Sequence, residues 1–173
     1  EADIAVQGNL LKLNTLKIAD LLGAKGDLRG SVADFGTVPR FDLAFNATMS
    51  DTDRLLDYAG LPKFVNGAIG AATASGEVAG TIGKLAVRNV AVTMLGATAS
   101  AAGSVVLGPD FRFDFARFSL QAADASRLVS VASGSPQSGL GALSATGTFK
   151  GDPARVLFEG DLVALGSEMT GTI

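Results

Sequence analysis

The stretch Phe41-Asp-Leu-Ala-Phe-Asn-Ala-Thr-Met49 decides the fold class, because apolar residues occupy every second position. A period of two is typical of a β-strand with one shielded face. The next stretch, Ser50-Asp-Thr-Asp-Arg-Leu-Leu-Asp-Tyr-Ala-Gly60, has an apolar stripe at helical spacing and ends on glycine. It predicts a short helix over residues 51–59, with Ser50 as the N-cap and Asp53 at the third helical position.

This strand-and-helix pattern recurs at Phe113–Gly134, where an offset of 73 residues relates Phe45 to Phe118 and Arg54 to Arg127. A second unit has Leu-Gly followed by Gly-Ser-Val. Its copies are Leu22-Gly23 with Gly30–Val32, Leu95-Gly96 with Gly103–Val105, and a weaker third at Leu165-Gly166. The sequence therefore predicts repeats of about 70 residues. They divide a single domain, 1–173, into a partial repeat at 1–38 and repeats at 39–108 and 109–173.

The remaining runs are also strand-like. The second cycle predicts a strand at 111–122 and a helix at 124–133, and a change of phase near Ala116 or Arg117 indicates a β-bulge. Further strands are expected at 73–82, 84–95, 98–107, 143–151, 154–164 and 167–173. The short connections favour antiparallel pairing. The predicted fold class is mainly β (α+β): an elongated, twisted, mostly antiparallel sheet with one short helix per repeat.

The composition excludes several functions. The chain has 28 Ala and 22 Gly but no Cys and no His, so thiol and imidazole catalysis and the usual zinc ligand sets are absent. A net charge of −3 leaves no basic surplus for nucleic acid. Acidic residues Asp51, Asp53 and Asp57 are better explained as helix-terminus groups than as a calcium site. We expect no enzyme activity, no cofactor and no metal.

The segment Val90–Gly108 has 19 residues without a charge, which approaches the length of a membrane-spanning helix. Three glycines and four hydroxyl residues interrupt it, however, and its bulky residues lie at its two ends. That distribution favours a strand, a glycine turn and a second strand. We therefore expect the fragment to be soluble.

The alternating strands, the Leu-Gly…Gly-Ser-Val unit and the helix sequence Asp124-Ala-Ser-Arg-Leu-Val129 resemble AsmA-type repeats of AsmA-like and TamB-related envelope proteins. The resemblance implies a periplasmic part of an inner-membrane-anchored protein in a Gram-negative bacterium. It also implies an apolar sheet face, a role in outer-membrane biogenesis and the transfer of lipid. The implied partners are phospholipid or another envelope lipid, and envelope or outer-membrane proteins.

The candidate site consists of apolar strand residues that face lipid or form an ordinary core against a helix or second sheet. They are Phe41, Leu43, Phe45, Val87, Val90, Val92, Met94, Phe111, Phe113 and Phe115. The main alternative function is a protein-interaction module that acts on outer-membrane proteins through exposed strand edges. Polysaccharide binding is disfavoured, because the chain has no Trp and a single Tyr to stack on sugars.

Overall fold

The computed structural model describes residues 1–60, 67–164 and 167–172. Eleven strands form one open sheet in which the strands follow sequence order and every neighbouring pair is antiparallel. The prediction of a mainly β, antiparallel architecture is confirmed. The strands are β1 (Ala2–Gln7), β2 (Leu10–Leu21), β3 (Ala24–Ala33), β4 (Arg40–Met49), β5 (Ala72–Thr81), β6 (Lys84–Met94), β7 (Ala97–Val106), β8 (Arg112–Ala122), β9 (Leu143–Gly151), β10 (Val156–Ala164) and β11 (Ser167–Thr172).

Successive strands run in opposite directions, so their connections alternate between two ends of the sheet. One end, here called the turn end, carries the connections 8–9, 34–39, 82–83, 107–111 and 152–155. The opposite end, here called the helix end, carries the turns 22–23 and 95–96. It also carries two helices, α1 (Thr52–Ala59) after β4 and α2 (Ser126–Ser133) after β8.

Both helices lie close to the predicted positions, but the predicted cap of α1 is wrong by one residue. Asp51 is the N-cap, and its carboxylate accepts a hydrogen bond from the Arg54 backbone N–H at 3.1 Å. Ser50 still belongs to the end of the sheet, because its hydroxyl and its backbone N–H both donate to the carbonyl of Gly23. The helix ends as predicted at Gly60, whose φ of 64° is left-handed.

The predicted irregularity in β8 is confirmed by the strand register. Phe115 pairs with Phe149 and Phe118 with Gly147, so Ala116 and Arg117 lie between these pairs opposite the single residue 148. This bulge keeps Phe113, Phe115, Phe118 and Leu120 on one face although the sequence changes phase between them.

The uncharged segment 90–108 forms the end of β6, a two-residue turn and β7, as predicted. Leu95 and Gly96 in the turn have φ values of 56° and 78°, as in the primed turns of β-hairpins. Among the described residues, no helix is long and apolar enough to cross a membrane. The third Leu-Gly copy, residues 165–166, lies outside the described residues.

Candidate functional site

The strand register brings the predicted site residues onto one face of the sheet. Paired residues on neighbouring strands point to the same side. One such row runs from Val32 through Phe41, Gly80, Leu85 and Val105 to Phe113. The same argument places the other strand candidates on this side, here called the apolar face: Leu43, Phe45, Val87, Val90, Val92, Met94 and Phe115.

The remaining candidate, Phe111, lies in the connection just before β8 rather than in the strand. Its ring nevertheless contacts that of Phe113, with the centroids 6.4 Å apart and the planes tilted by 58°. Phe111 therefore extends the apolar face to the turn end.

Several members of the apolar face are not among the predicted site residues, although most of them follow the same period of two. In β2, Leu13 and Leu16 pair with Gly30 and Leu28 of β3. On β9 and β10, toward the other edge of the sheet, strand pairing places three more residues on the apolar face: Phe149, Phe158 and Leu162. The face therefore extends from β1 to β11, well beyond the candidates from β4, β6 and β8.

Small residues alternate with large ones from strand to strand across the apolar face. Gly30 lies between Leu13 and Leu43, and Gly103 lies opposite Val87. Some of these glycines permit close backbone approach: a Cβ on Gly103 would lie 2.1 Å from the carbonyl oxygen of Asp114. The high Gly and Ala content thus leaves room for the large side chains of the neighbouring strands.

The helix end of the apolar face is covered. A paired row runs there from Met49 through Ala72, Met94 and Ala97 to Ala122, and all of its members are buried except the half-buried Met94. Their neighbours on the opposite face, among them Thr48, are exposed. Because only one side is shielded, we infer that α1, α2 and the described residues of their connectors cover the apolar side at this end.

Elsewhere the apolar face has no second layer among the described residues, which form a single sheet. Phe41, Leu43, Phe45 and Val90 are half-buried, and no described side chain is completely buried. A few side chains in the middle and at the turn end of the apolar face are nevertheless buried. Phe113, for example, is 8% exposed, and its ring stacks on those of Phe115 and Phe149, with centroid distances of 5.4 and 5.1 Å.

The opposite face of the sheet is polar. Hydroxyl pairs cross neighbouring strands, as between Ser100 and Ser119 at 2.7 Å. Exposed ion pairs also lie on this face, including Arg88 with Asp42 at 3.6 Å. The sheet therefore separates an apolar side from a hydrated side, as expected for an antiparallel sheet with one solvated face.

The carboxylates of the helix end have structural roles. Asp53 accepts hydrogen bonds from the backbone N–H groups of Ile69 and Gly70 at 2.8 and 3.0 Å, and so anchors the connector that returns to β5. This role differs from the predicted one, in which Asp53 was a group of the helix terminus. Asp124 accepts from the hydroxyl and the backbone N–H of Ser126, and these two hydrogen bonds lower the pKa of its carboxyl.

Within the described residues, no group of three or more Asp, Glu, His or Cys side chains is arranged to hold a metal ion. The acidic residues around α1 are dispersed instead: Asp51 caps the helix and Asp53 binds the connector.

Comparisons with protein-family models, with curated proteins and with solved structures find no match for this chain.

Proposed function

We propose that this chain is a non-enzymatic, lipid-handling module of the AsmA-like type. In this proposal it is a periplasmic part of an inner-membrane-anchored protein that acts in outer-membrane biogenesis. Phospholipid or another envelope lipid moves along the apolar face of the sheet. The observation that supports the proposal is the single apolar face across eleven strands, over which the described residues form no second layer except at the helix end.

An acyl chain exposed to water costs about 0.8 kcal/mol per methylene group, so a carrier must offer a continuous apolar surface. Neighbouring strands lie about 4.8 Å apart, which makes the path across eleven strands roughly 50 Å long. No register-paired position of the apolar face carries a charge, from Leu13 on β2 through Phe45 on β4 to Leu162 on β10. Lipid tails can therefore lie on this surface without desolvating an ionic group.

The proposal includes a repeat organisation with units of about 70 residues. Two features 73 residues apart support it, because Leu22 and Leu95 both begin a two-residue turn with a φ of 56°. In addition, one short helix follows β4 and the other follows β8. Each further repeat of this kind can add strands at an edge of the sheet and so lengthen the apolar face.

The test is native mass spectrometry of the chain after expression in bacteria, with lipid extraction and identification. Two neighbouring positions provide a matched pair: Leu43→Asp places a carboxylate on the apolar face, and Ala44→Asp places one on the opposite, exposed side. We expect co-purified phospholipid in the wild type and in the Ala44 variant, and at least a tenfold loss in the Leu43 variant. Circular dichroism checks that both variants are folded.

Two results would contradict lipid handling. The first is the absence of lipid from a monomeric wild type that also takes up no added fluorescent phospholipid. The second is a lipid-free species of twice the chain mass, which would indicate that two copies cover each other's apolar faces.

The edges of the sheet favour the second candidate function, binding or assembly of outer-membrane proteins by strand addition. Within the described residues, β1 pairs only with β2 and β11 only with β10. Both edge strands expose apolar side chains, Val6 on β1 and Met169 on β11. Binding of extended peptides, without lipid uptake, is the result that would favour this function.

A further inference from the structure

Exposed apolar side chains gather at the turn end of the sheet. Of the twelve large apolar side chains that are exposed in the described residues, six lie in or next to a turn at this end. They are Val6, Leu10, Phe35, Val38, Ile82 and Val156. Ile82 occupies the tip of the β5–β6 turn and is 65% exposed. Apolar tips of this kind are unfavourable in water and mark a contact surface.

Cations accompany these tips in a regular row. Arg40, Lys84 and Arg112 are the first residues of β4, β6 and β8, and Arg155 directly precedes β10. The spacing is two strands, or roughly 10 Å. The register places Arg40, Lys84 and Arg112 on the polar side of the sheet, next to apolar-face residues such as Phe41. The turn end is therefore an amphipathic rim, with apolar tips beside a row of cations.

Three carboxylates lie at this end, against the four cations of the row. Asp110 is exposed in the 107–111 connection, and the other two are held by their own turns. Asp34 accepts from the Asn9 amide at 3.1 Å and lies 3.8 Å from Arg40. Asp152 accepts from two backbone N–H groups of the β9–β10 turn. Within the described residues, Lys84, Arg112 and Arg155 form no ion pair, so their charged groups are available to an external anion.

The helix end also exposes apolar side chains, among them Tyr58 and Val129, but its charge differs. Its described acidic residues, Asp20, Asp51, Asp53, Asp57 and Asp124, outnumber its described cations, Lys25, Arg54 and Arg127. The apolar face is also covered there by the helices. An anionic partner therefore fits the turn end and is repelled by the helix end.

We propose that the turn end docks on the surface of an anionic lipid bilayer. The apolar tips insert into the boundary between headgroups and acyl chains, while the row of cations contacts lipid phosphates. Docking in this orientation brings the turn-end part of the apolar face, including the half-buried Phe41, to the acyl chains. The inference rests on the proposed lipid-handling function. It identifies the side of the sheet, along the path across the strands, from which lipid enters or leaves.

Two single-tryptophan variants test the orientation, because the chain has no Trp of its own. Ile82→Trp places the reporter at the turn end, and Tyr58→Trp places it at an exposed position of α1, where the tyrosine is 74% exposed. With vesicles of phosphatidylcholine and phosphatidylglycerol, we expect a blue shift of the emission at position 82 and none at position 58. Equal shifts, or a shift at position 58 alone, would overturn the proposal.

A pair of charge reversals tests the row of cations. The double variant Lys84→Glu, Arg112→Glu removes two of them, and each cation near an anionic bilayer contributes roughly fivefold to binding. We therefore expect a loss of affinity of about 25-fold or more in vesicle co-sedimentation. The control Lys25→Glu, Arg127→Glu makes the same charge change at the helix end and should bind vesicles like the wild type. Equal losses of affinity in both double variants would show that vesicle binding depends only on the net charge of the chain. That result would contradict docking through the turn end.

The two proposals can fail separately. A chain that carries phospholipid but does not bind anionic vesicles would overturn the docking inference alone. A chain that docks through position 82 but carries and takes up no lipid would overturn the lipid-handling function, whereas the docking inference would stand.

Discussion

The rings of Phe113 and Phe149 stack across β8 and β9, with their centroids 5.1 Å apart and their planes inclined by 25°. Phe149 also stacks on Phe118 at 4.8 Å. Gly151, the register partner of Phe113, and Gly147, the partner of Phe118, leave room for these rings. Aromatic contacts along one face thus provide shielding that a second layer of structure provides in a closed core.

Phe113 should therefore contribute to stability although the described residues form no second layer over the middle of its face. We expect Phe113→Ala to lower the free energy of unfolding by about 2–3 kcal/mol, because the ring is almost fully shielded by its neighbours. The half-buried Phe41 is the control, and its replacement by Ala should cost about 1 kcal/mol. Urea unfolding measures both. Equal losses would contradict the special role of the aromatic cluster.

Gly103 should be intolerant of any side chain. An added Cβ would lie 2.1 Å from the Asp114 carbonyl oxygen and 2.6 Å from the Cα of Phe115, so the β7–β8 pairing must shift. We expect Gly103→Ala to destabilise the sheet by about 1–3 kcal/mol. At Gly171, an added Cβ meets none of the described atoms within 4 Å. Gly171→Ala should change stability by less than about 0.5 kcal/mol in the same unfolding measurement.

Asp53 should hold the connector between α1 and β5. Removal of its carboxylate in Asp53→Ala leaves the N–H groups of Ile69 and Gly70 without this acceptor, at a cost of about 1–3 kcal/mol. Amide hydrogen exchange at residues 69 and 70 should accelerate in the variant. Asp57→Ala, an exposed carboxylate on the same helix, is the control. Unchanged protection at both amides in the Asp53 variant would refute the assignment.

The stability of the α2 terminus should depend on pH through Asp124. Its hydrogen bonds to Ser126 lower the pKa of the folded state below the ordinary value of 3.8. The stabilisation is therefore fully present above the unfolded pKa and is lost as the pH falls through the lower pKa of the folded state. An NMR titration of the Asp124 carboxyl carbon measures this, and Ser126→Ala should move the midpoint upward. A midpoint at or above the ordinary value in the wild type would contradict the hydrogen-bond assignment.

Leu22 and Leu95 allow the backbone strain of a leucine with positive φ to be compared at two positions that differ in burial. Both have a φ of 56°, but Leu95 is 5% exposed whereas Leu22 is only half-buried. Replacement by Asn relieves strain of about 1 kcal/mol at each position and removes apolar burial mainly at position 95. We expect Leu95→Asn to lower the melting temperature and Leu22→Asn to leave it unchanged or raise it. A melting temperature that falls for Leu22→Asn but not for Leu95→Asn would show that the burial of Leu95 does not contribute to stability.

Local patterns in the sequence were sufficient for the strands from β4 onward, for both helices and for the β8 bulge, because the period of two and the glycine stop signals act over a few residues. The first three strands were predicted only as part of a partial repeat. The same period predicted that Phe41, Leu43 and Phe45 share a face. The cap of α1 was predicted one residue too early. Ser50 hydrogen-bonds to Gly23, 27 residues away in sequence, and a local capping rule contains no information about that contact.

By itself the sequence determined which residues are apolar at strand spacing, and that this chain lacks the side chains of thiol and imidazole chemistry. Only the tertiary structure decided that those residues form one continuous face, since that depends on the order and register of eleven strands. It also decided that the apolar face is buried at one end, that Asp53 binds a connector 16 residues away, and that apolar tips and cations meet at the other end. These are contacts between distant parts of the chain, and their geometry is set by backbone pairing across the sheet rather than by any local pattern.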